Sequence, residues 1–164
     1  MAKPTHGYRY GTFSVHKVIA VLDQDAHEEL EFRRRKDEYG SLYAFHGTKT
    51  DCAYSIFRNG LRDLSNSHLM TTGAAMGAGI YVAIDIATAA GYSRTSQSNG
   101  YMYGAPVLPT ERFLLVIEFI NEPSYNKRNR IYVISEQKDI RIRFFLIEKP
   151  QSGTKNKARN INID

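Results

Sequence analysis

Apolar positions in this chain fall in short runs far more often than at helical spacing, and those runs mark where a sheet is predicted. Leu42-Tyr43-Ala44-Phe45 ends abruptly in His46-Gly47-Thr48 and reads as a buried strand that delivers His46 and Gly47 to a pocket. Phe113 to Ile120, Ile131 to Ile134 and Ile140 to Ile147 read as three further strands. In the last, Ile140, Ile142 and Phe144 fall on one face and Arg141 and Arg143 on the other. Upstream, Tyr8 to Phe13 alternates and His16 to Leu22 is rich in Val and Ile, so one or both are strands. Asn121 to Arg130 reads as a short basic turn region.

Helical patterns lie between the runs. Asp23-Gln24-Asp25 can cap a helix over Ala26 to Tyr39, dense in Glu, Arg and Lys and so mostly exposed, which Gly40 ends. Thr50 or Asp51 caps a second helix, with Ala53, Ile56, Phe57 and Leu61 at helical spacing and Gly60 near its end. A third runs from Asp85, a plausible cap, to Tyr92. Leu61 to Met70 and Ser93 to Pro109 are polar and read as loops, the second long enough to face a partner. Several strands with two or three helices, in no regular alternation, argue for α+β.

Length and composition narrow the class. A chain of 164 residues buries one sizeable core, and 42% hydrophobic with 24% charged residues excludes disorder of the whole chain. Residues 1–148 are expected to form a single domain and 149–164 a basic flexible tail. The longest apolar run, Phe113 to Ile117, meets Glu118 far short of the ~20 residues a membrane helix needs, so no membrane span is expected. Met1 to His6 has no apolar secretory core, and the lone Cys52, expected to be a small apolar helix residue, can form no internal disulfide. An intracellular monomer, in cytoplasm or nucleus, is therefore expected. The net charge of +5 permits acidic partners, but the basic tail has no aromatics interleaved for nucleic-acid stacking.

Candidate chemistry gathers around the glycines. Gly73 to Gly79 is a small-residue loop running into Ile80-Tyr81-Val82-Ala83. It lacks the Lys-Ser/Thr of a P-loop and the spacing of a dinucleotide fingerprint, so its glycines are read as letting backbone approach a ligand. His46-Gly47-Thr48, Gly-x-Gly-Ile-Tyr at 77–81, Tyr92 and Asn129-Arg130-Ile131-Tyr132-Val133-Ile134, in that order and spacing, resemble the catalytic domain of the poly(ADP-ribose) polymerase-like ADP-ribosyltransferases. The likeness runs from about Glu31 to about Glu148 and is closest to the short, mono-transferring branch, including its membrane-anchored member.

That resemblance implies two packed, mainly antiparallel sheets with peripheral helices, an NAD cleft between them, and NAD⁺ as substrate with no metal. The reaction would break the nicotinamide–ribose bond and pass one ADP-ribose to an acceptor, a protein side chain or a nucleic-acid phosphate. By resemblance the catalytic set is His46, Tyr81 and Ile131, and the dinucleotide meets His46, Gly47, Thr48, Tyr81, Ala89 and Tyr92. Gly47 would offer N–H and C=O to the carboxamide, His46 a ring nitrogen to the adenosine ribose, and the two tyrosines flat faces to the nicotinamide. Residues 61–70 would form the lip over the dinucleotide.

Two positions depart from the family pattern. Ala89 stands where many relatives carry a serine for the carboxamide, which removes a contact worth ~1 kcal/mol. Ile131 stands where polymerases carry a glutamate that polarises the acceptor, a pattern associated with single transfer or with none. A catalytically silent module that binds an ADP-ribose-like ligand or a partner through the same cleft is therefore the competing expectation.

Overall fold

The computed structural model describes residues 13–21, 25–63, 76–93, 101–102, 105–106 and 112–148. Its strands are β1 (Val15–Ala20), β2 (Ser41–Thr48), β3 (Ile80–Ala83), β4 (Tyr101–Met102), β5 (Ala105–Pro106), β6 (Phe113–Ile120), β7 (Asn126–Arg128), β8 (Ile131–Ile134) and β9 (Ile140–Glu148). Its helices are α1 (Ala26–Tyr39), α2 (Thr50–Asn59) and α3 (Ile86–Ala90). The architecture is α+β with antiparallel strand pairing throughout the described residues.

Seven strands connect in the order β1-β9-β6-β2-β3-β8-β7, and β4 pairs with β5 alone. The resemblance implies two packed sheets, whereas hydrogen bonding links seven of the nine described strands into one sheet and leaves β4 and β5 as a separate pair. The link is narrow. β2 pairs with β6 along its whole length, from Ser41↔Ile120 to Thr48↔Phe113, but with β3 only at Phe45↔Ala83. Beyond Phe45 the two strands part, and His46 and Gly47 lie where they do.

The main core consists of Ala44, Leu115, Ile117 and Phe119 from the central strands with Ile80, Val82, Ile134 and Phe145 around them, all buried. α2 closes one side of it. Ala53 packs with Phe113 and Ile147, and the ring of Phe57 stacks on Phe145 at 3.7 Å. Lys49, not Thr50 or Asp51, occupies the cap position of α2, and it makes no side-chain cap bond. Cys52 lies on α2 as expected but is exposed.

The sequence reading of β9 needs one correction. A register shift opposite Val116 and Ile117 inserts an extra residue, so the alternation breaks after Ile142. Phe145 enters the core in place of Phe144, which is 38% exposed. The two arginines lie against α1. Arg141 is 6% exposed, and both guanidiniums flank the buried ring of Phe32 on α1, at 5.3 and 5.4 Å.

α1 is mostly exposed, as its composition predicts, yet its inner face is held to the sheet largely by charge. Glu118 is 2% exposed and accepts from Lys36 Nζ at 2.7 Å, Ser41 Oγ at 2.6 Å and Arg143 Nε at 2.9 Å. Arg143 also reaches Glu29, and Arg35 grips the fully buried Asp139 through two bonds of 2.6 and 2.7 Å. Tyr125 donates to the same Asp139 carboxylate. Isolated sequence patterns cannot display such a network, because its partners are spread over residues 29 to 143.

Asn126 to Arg128, expected as turn, form the edge strand β7. A two-residue loop joins it to β8, with Asn129 at a φ of 56°, a conformation asparagine tolerates. Most of the expected strand at 8–13, lip at 61–70, loop at 93–109 and tail at 149–164 lies outside the described residues.

Candidate active site

The site is built where β2 leaves β3. His46 follows Phe45, the last residue of β2 paired to β3, and its Nδ1 lies 2.8 Å from the carbonyl oxygen of Tyr81. A carbonyl only accepts, so in this bond Nδ1 carries the proton and donates. Burial pushes the imidazole below its ordinary value, more than the Tyr81 carbonyl raises it. The neutral ring therefore leaves Nε2 as an acceptor, with no partner for it among the described residues. His46 thus does two things: it spans the gap between the strands, and it offers one lone pair.

Gly47 comes next and is enclosed by main chain. A Cβ at this position would lie 1.9 Å from the carbonyl oxygen of Ala89. Only glycine lets α3 sit this close to β2. The Ala89 carbonyl also accepts the N–H of Tyr92 at 3.0 Å, so one peptide group links Gly47 to the start of Tyr92. Tyr92 is 53% exposed, leaving its ring open to a ligand. Thr48, by contrast, is buried at the end of β2, paired to Phe113.

Tyr81 is committed in a way the sequence does not reveal. Its hydroxyl donates to Gly77 O at 2.8 Å and accepts from Met76 N at 2.9 Å, pinning the end of the glycine loop. The phenol oxygen is thus used within the protein, and the ring is what remains for a ligand. Gly79 in the same loop has a φ of 139° and lies against β8, where a Cβ would come 2.7 Å from Val133 Cγ1. Packing against β8 therefore accounts for this glycine, in place of the expected approach to a ligand.

Ile131 joins the site by register. It pairs with Ala83 in β3, which pairs with Phe45 in β2; on β8's other side it pairs with Arg128. Directly paired residues share a face, so Phe45, Ala83, Ile131 and Arg128 form one row across the sheet, with Gly47 and Tyr81 two residues on and on the same face. Ile131 brings no polar atom to that row beyond its backbone.

One further residue organises the site. Asp85 caps α3, accepting from Thr88 N at 2.8 Å and Thr88 Oγ1 at 2.9 Å, and it pairs with Arg130 at 3.5 Å. Burial alone would raise its carboxyl, but the Thr88 bonds and Arg130 hold it below the usual range. Asp85 so ties the helix that leads to Tyr92 to the turn that carries Ile131. The Asp-x-x-Thr spacing signals the cap; nothing in the sequence signals Arg130.

The chain matches the family described as the poly(ADP-ribose) polymerase catalytic domain over residues 1–118. That stretch contains every residue singled out here before β7 and ends ahead of Ile131. The chain is similar to the protein mono-ADP-ribosyltransferases PARP8 of Mus musculus and Homo sapiens, at 29% identity over 160 residues in each. These alignments cover 83% of the chain and 19% of each relative, so the chain spans about a fifth of their length.

Proposed function

Because the chain belongs to the poly(ADP-ribose) polymerase catalytic-domain family, we propose that it is an NAD⁺-dependent mono-ADP-ribosyltransferase. The observation that carries the reading is the His46–Tyr81 clasp at the parting of β2 and β3. It holds a neutral imidazole with Nε2 free to accept from a ribose hydroxyl, beside a Gly47 backbone that no side chain obstructs. The gap between the strands is the proposed NAD cleft.

In the reaction the C–N bond between nicotinamide and ribose breaks, and nicotinamide leaves neutral with the bonding pair. The acceptor then supplies the electrons of the new bond to the ribose carbon. The leaving group starts as a cation, so the protein needs to position and to stabilise a ribose-centred positive charge rather than supply a nucleophile. The rings of Tyr81 and Tyr92 hold the nicotinamide, each worth about 0.5–2 kcal/mol. Gly47 holds the carboxamide, and Thr48 closes the strand end behind it. Ile131 offers no base, so transfer stops at one unit per site.

Incubation with labelled NAD⁺, followed by mass spectrometry, tests this. Free nicotinamide together with single ADP-ribose adducts on an added or internal acceptor is expected. The second reading, a silent binding module, is favoured by Ala89 and Ile131 together, which remove one donor and one base. Thermal stabilisation by NAD⁺ without nicotinamide release would establish it in place of the first.

A further inference from the structure

The β7–β8 hairpin carries Lys127, Arg128 and Arg130 within four residues, all exposed. Their engagements are slight. Lys127 Nζ lies over the Tyr132 ring at 5.1 Å, Arg130 is 3.5 Å from Asp85, and Arg128 has no ion pair among the described residues. Asp85 is the one acid paired with this hairpin among the described residues. A positive field therefore projects from the hairpin, cancelled only at Arg130 by Asp85 among the described residues.

The backbone beneath these cations pairs with β8 on one side only. β7 ends the seven-stranded sheet, and no other described strand pairs with its outer edge. Unpaired N–H and C=O groups along a strand edge select an extended peptide, not a nucleic-acid backbone. A single strand of nucleic acid would need stacking rings, and the one aromatic at the hairpin, Tyr132, is only half-exposed and lies under Lys127.

We propose that the β7 edge docks an extended acidic peptide segment by strand addition. Successive side chains of an added strand point to opposite faces, as do Lys127 and Arg128, so acids on alternate faces meet one cation each. Arg128 is paired by register with Ile131, which places the docked segment about two strand spacings, ~9–10 Å, from the position that would hold a polymerase's glutamate. On the transferase reading, on which this last role rests, the segment flanks the residue to be modified. The hairpin then selects acceptors by the acidity of their neighbourhood.

The test uses the whole chain and a fluorescein-labelled peptide of repeating Glu-Glu-Thr-Thr, whose adjacent acids fall on opposite faces of a strand, read by anisotropy at low salt without NAD⁺. Binding is expected to weaken about fivefold to tenfold in the double variant Lys127→Gln, Arg128→Gln, with thermal unfolding unchanged. The amides of β7 that do not bond to β8 should gain hydrogen-exchange protection when the Glu-Thr peptide binds. A peptide with proline at alternate positions, which cannot pair as a strand, should bind no better than the double variant does. Equal binding by the double variant, or by the proline peptide, would overturn the proposal, as would tighter binding of a single-stranded oligonucleotide of equal charge. The same samples titrated with NAD⁺ separate the two readings. Loss of peptide docking with NAD⁺ stabilisation intact rejects the hairpin alone, whereas docking without any NAD⁺ response rejects the transferase.

Discussion

The carbonyl of Ala89 lies against Gly47 so closely that a Cβ on Gly47 would stand 1.9 Å from its oxygen. The oxygen belongs to α3's backbone and cannot move alone. Gly47→Ala should therefore push α3 off β2 and carry Tyr92 with it, at a cost of about 1–3 kcal/mol. Thermal unfolding should fall by several degrees, and NAD⁺ should no longer stabilise the variant. A variant with an unchanged melting temperature would show that the contact yields.

The direction of the His46–Tyr81 bond gives a pH dependence. Burial holds the folded imidazole below its ordinary value, so the ring is neutral at pH 7 and Nε2 accepts. Protonation turns Nε2 into a donor and costs stability, because the unfolded state takes up the proton more readily. Activity and stability should both be level through neutral pH and fall only as acidity passes below the usual imidazole range. A rate profile measured with His46→Gln should lose that acid limb along with most activity.

Asp85 links α3 to the β7–β8 turn through Thr88 and Arg130. Asp85→Asn keeps a capping oxygen but loses the charge pairing, whereas Asp85→Ala loses both, at about 0.5–2 kcal/mol for the cap. The Asn variant should retain its melting temperature within a degree or two and show a raised KM for NAD⁺. Steady-state kinetics beside calorimetry distinguish this from a purely structural role.

Glu118 is the buried anion under α1. Burial raises its carboxyl, but Lys36, Ser41 and Arg143 outweigh that and hold it below the usual carboxylate range. A depressed folded value means that its stabilisation is present above the unfolded value and is lost as pH falls through the folded one. The chain should accordingly lose stability on acidification below the ordinary carboxylate range. Glu118→Gln should be less stable at neutral pH and show a shallower acid decline, as denaturant titrations across pH would report.

Ile131→Glu restores a carboxylate opposite Arg128 and beside Ala83. A positioned base is worth roughly 10²–10⁴-fold, but chain growth also needs a site for the attached ADP-ribose as acceptor. Arg128 is expected to pair with the new carboxylate and hold it away from the acceptor. Gels should show single adducts with the variant as with the natural chain; a ladder from either would overturn single transfer.

The sequence by itself determined the three helices and the longer strands, because period-two and helical spacing record which side of each element is buried, whereas the two- and three-residue strands β4, β5 and β7 are too short to carry such a pattern. It also singled out His46, Gly47, Tyr81 and Tyr92 as candidates, through the order and spacing of motifs that resemble the family and not through any one of them alone. Only the tertiary structure decided why Gly47 is a glycine, since the reason lies in the Ala89 carbonyl, forty-two residues away. It decided likewise that the Tyr81 hydroxyl pins its own loop, that Arg141 and Arg143 face α1, and that Phe145 replaces Phe144 in the core after a one-residue register shift. Each depends on which distant backbone or charge arrives beside a residue, and local patterns of polarity carry no record of that.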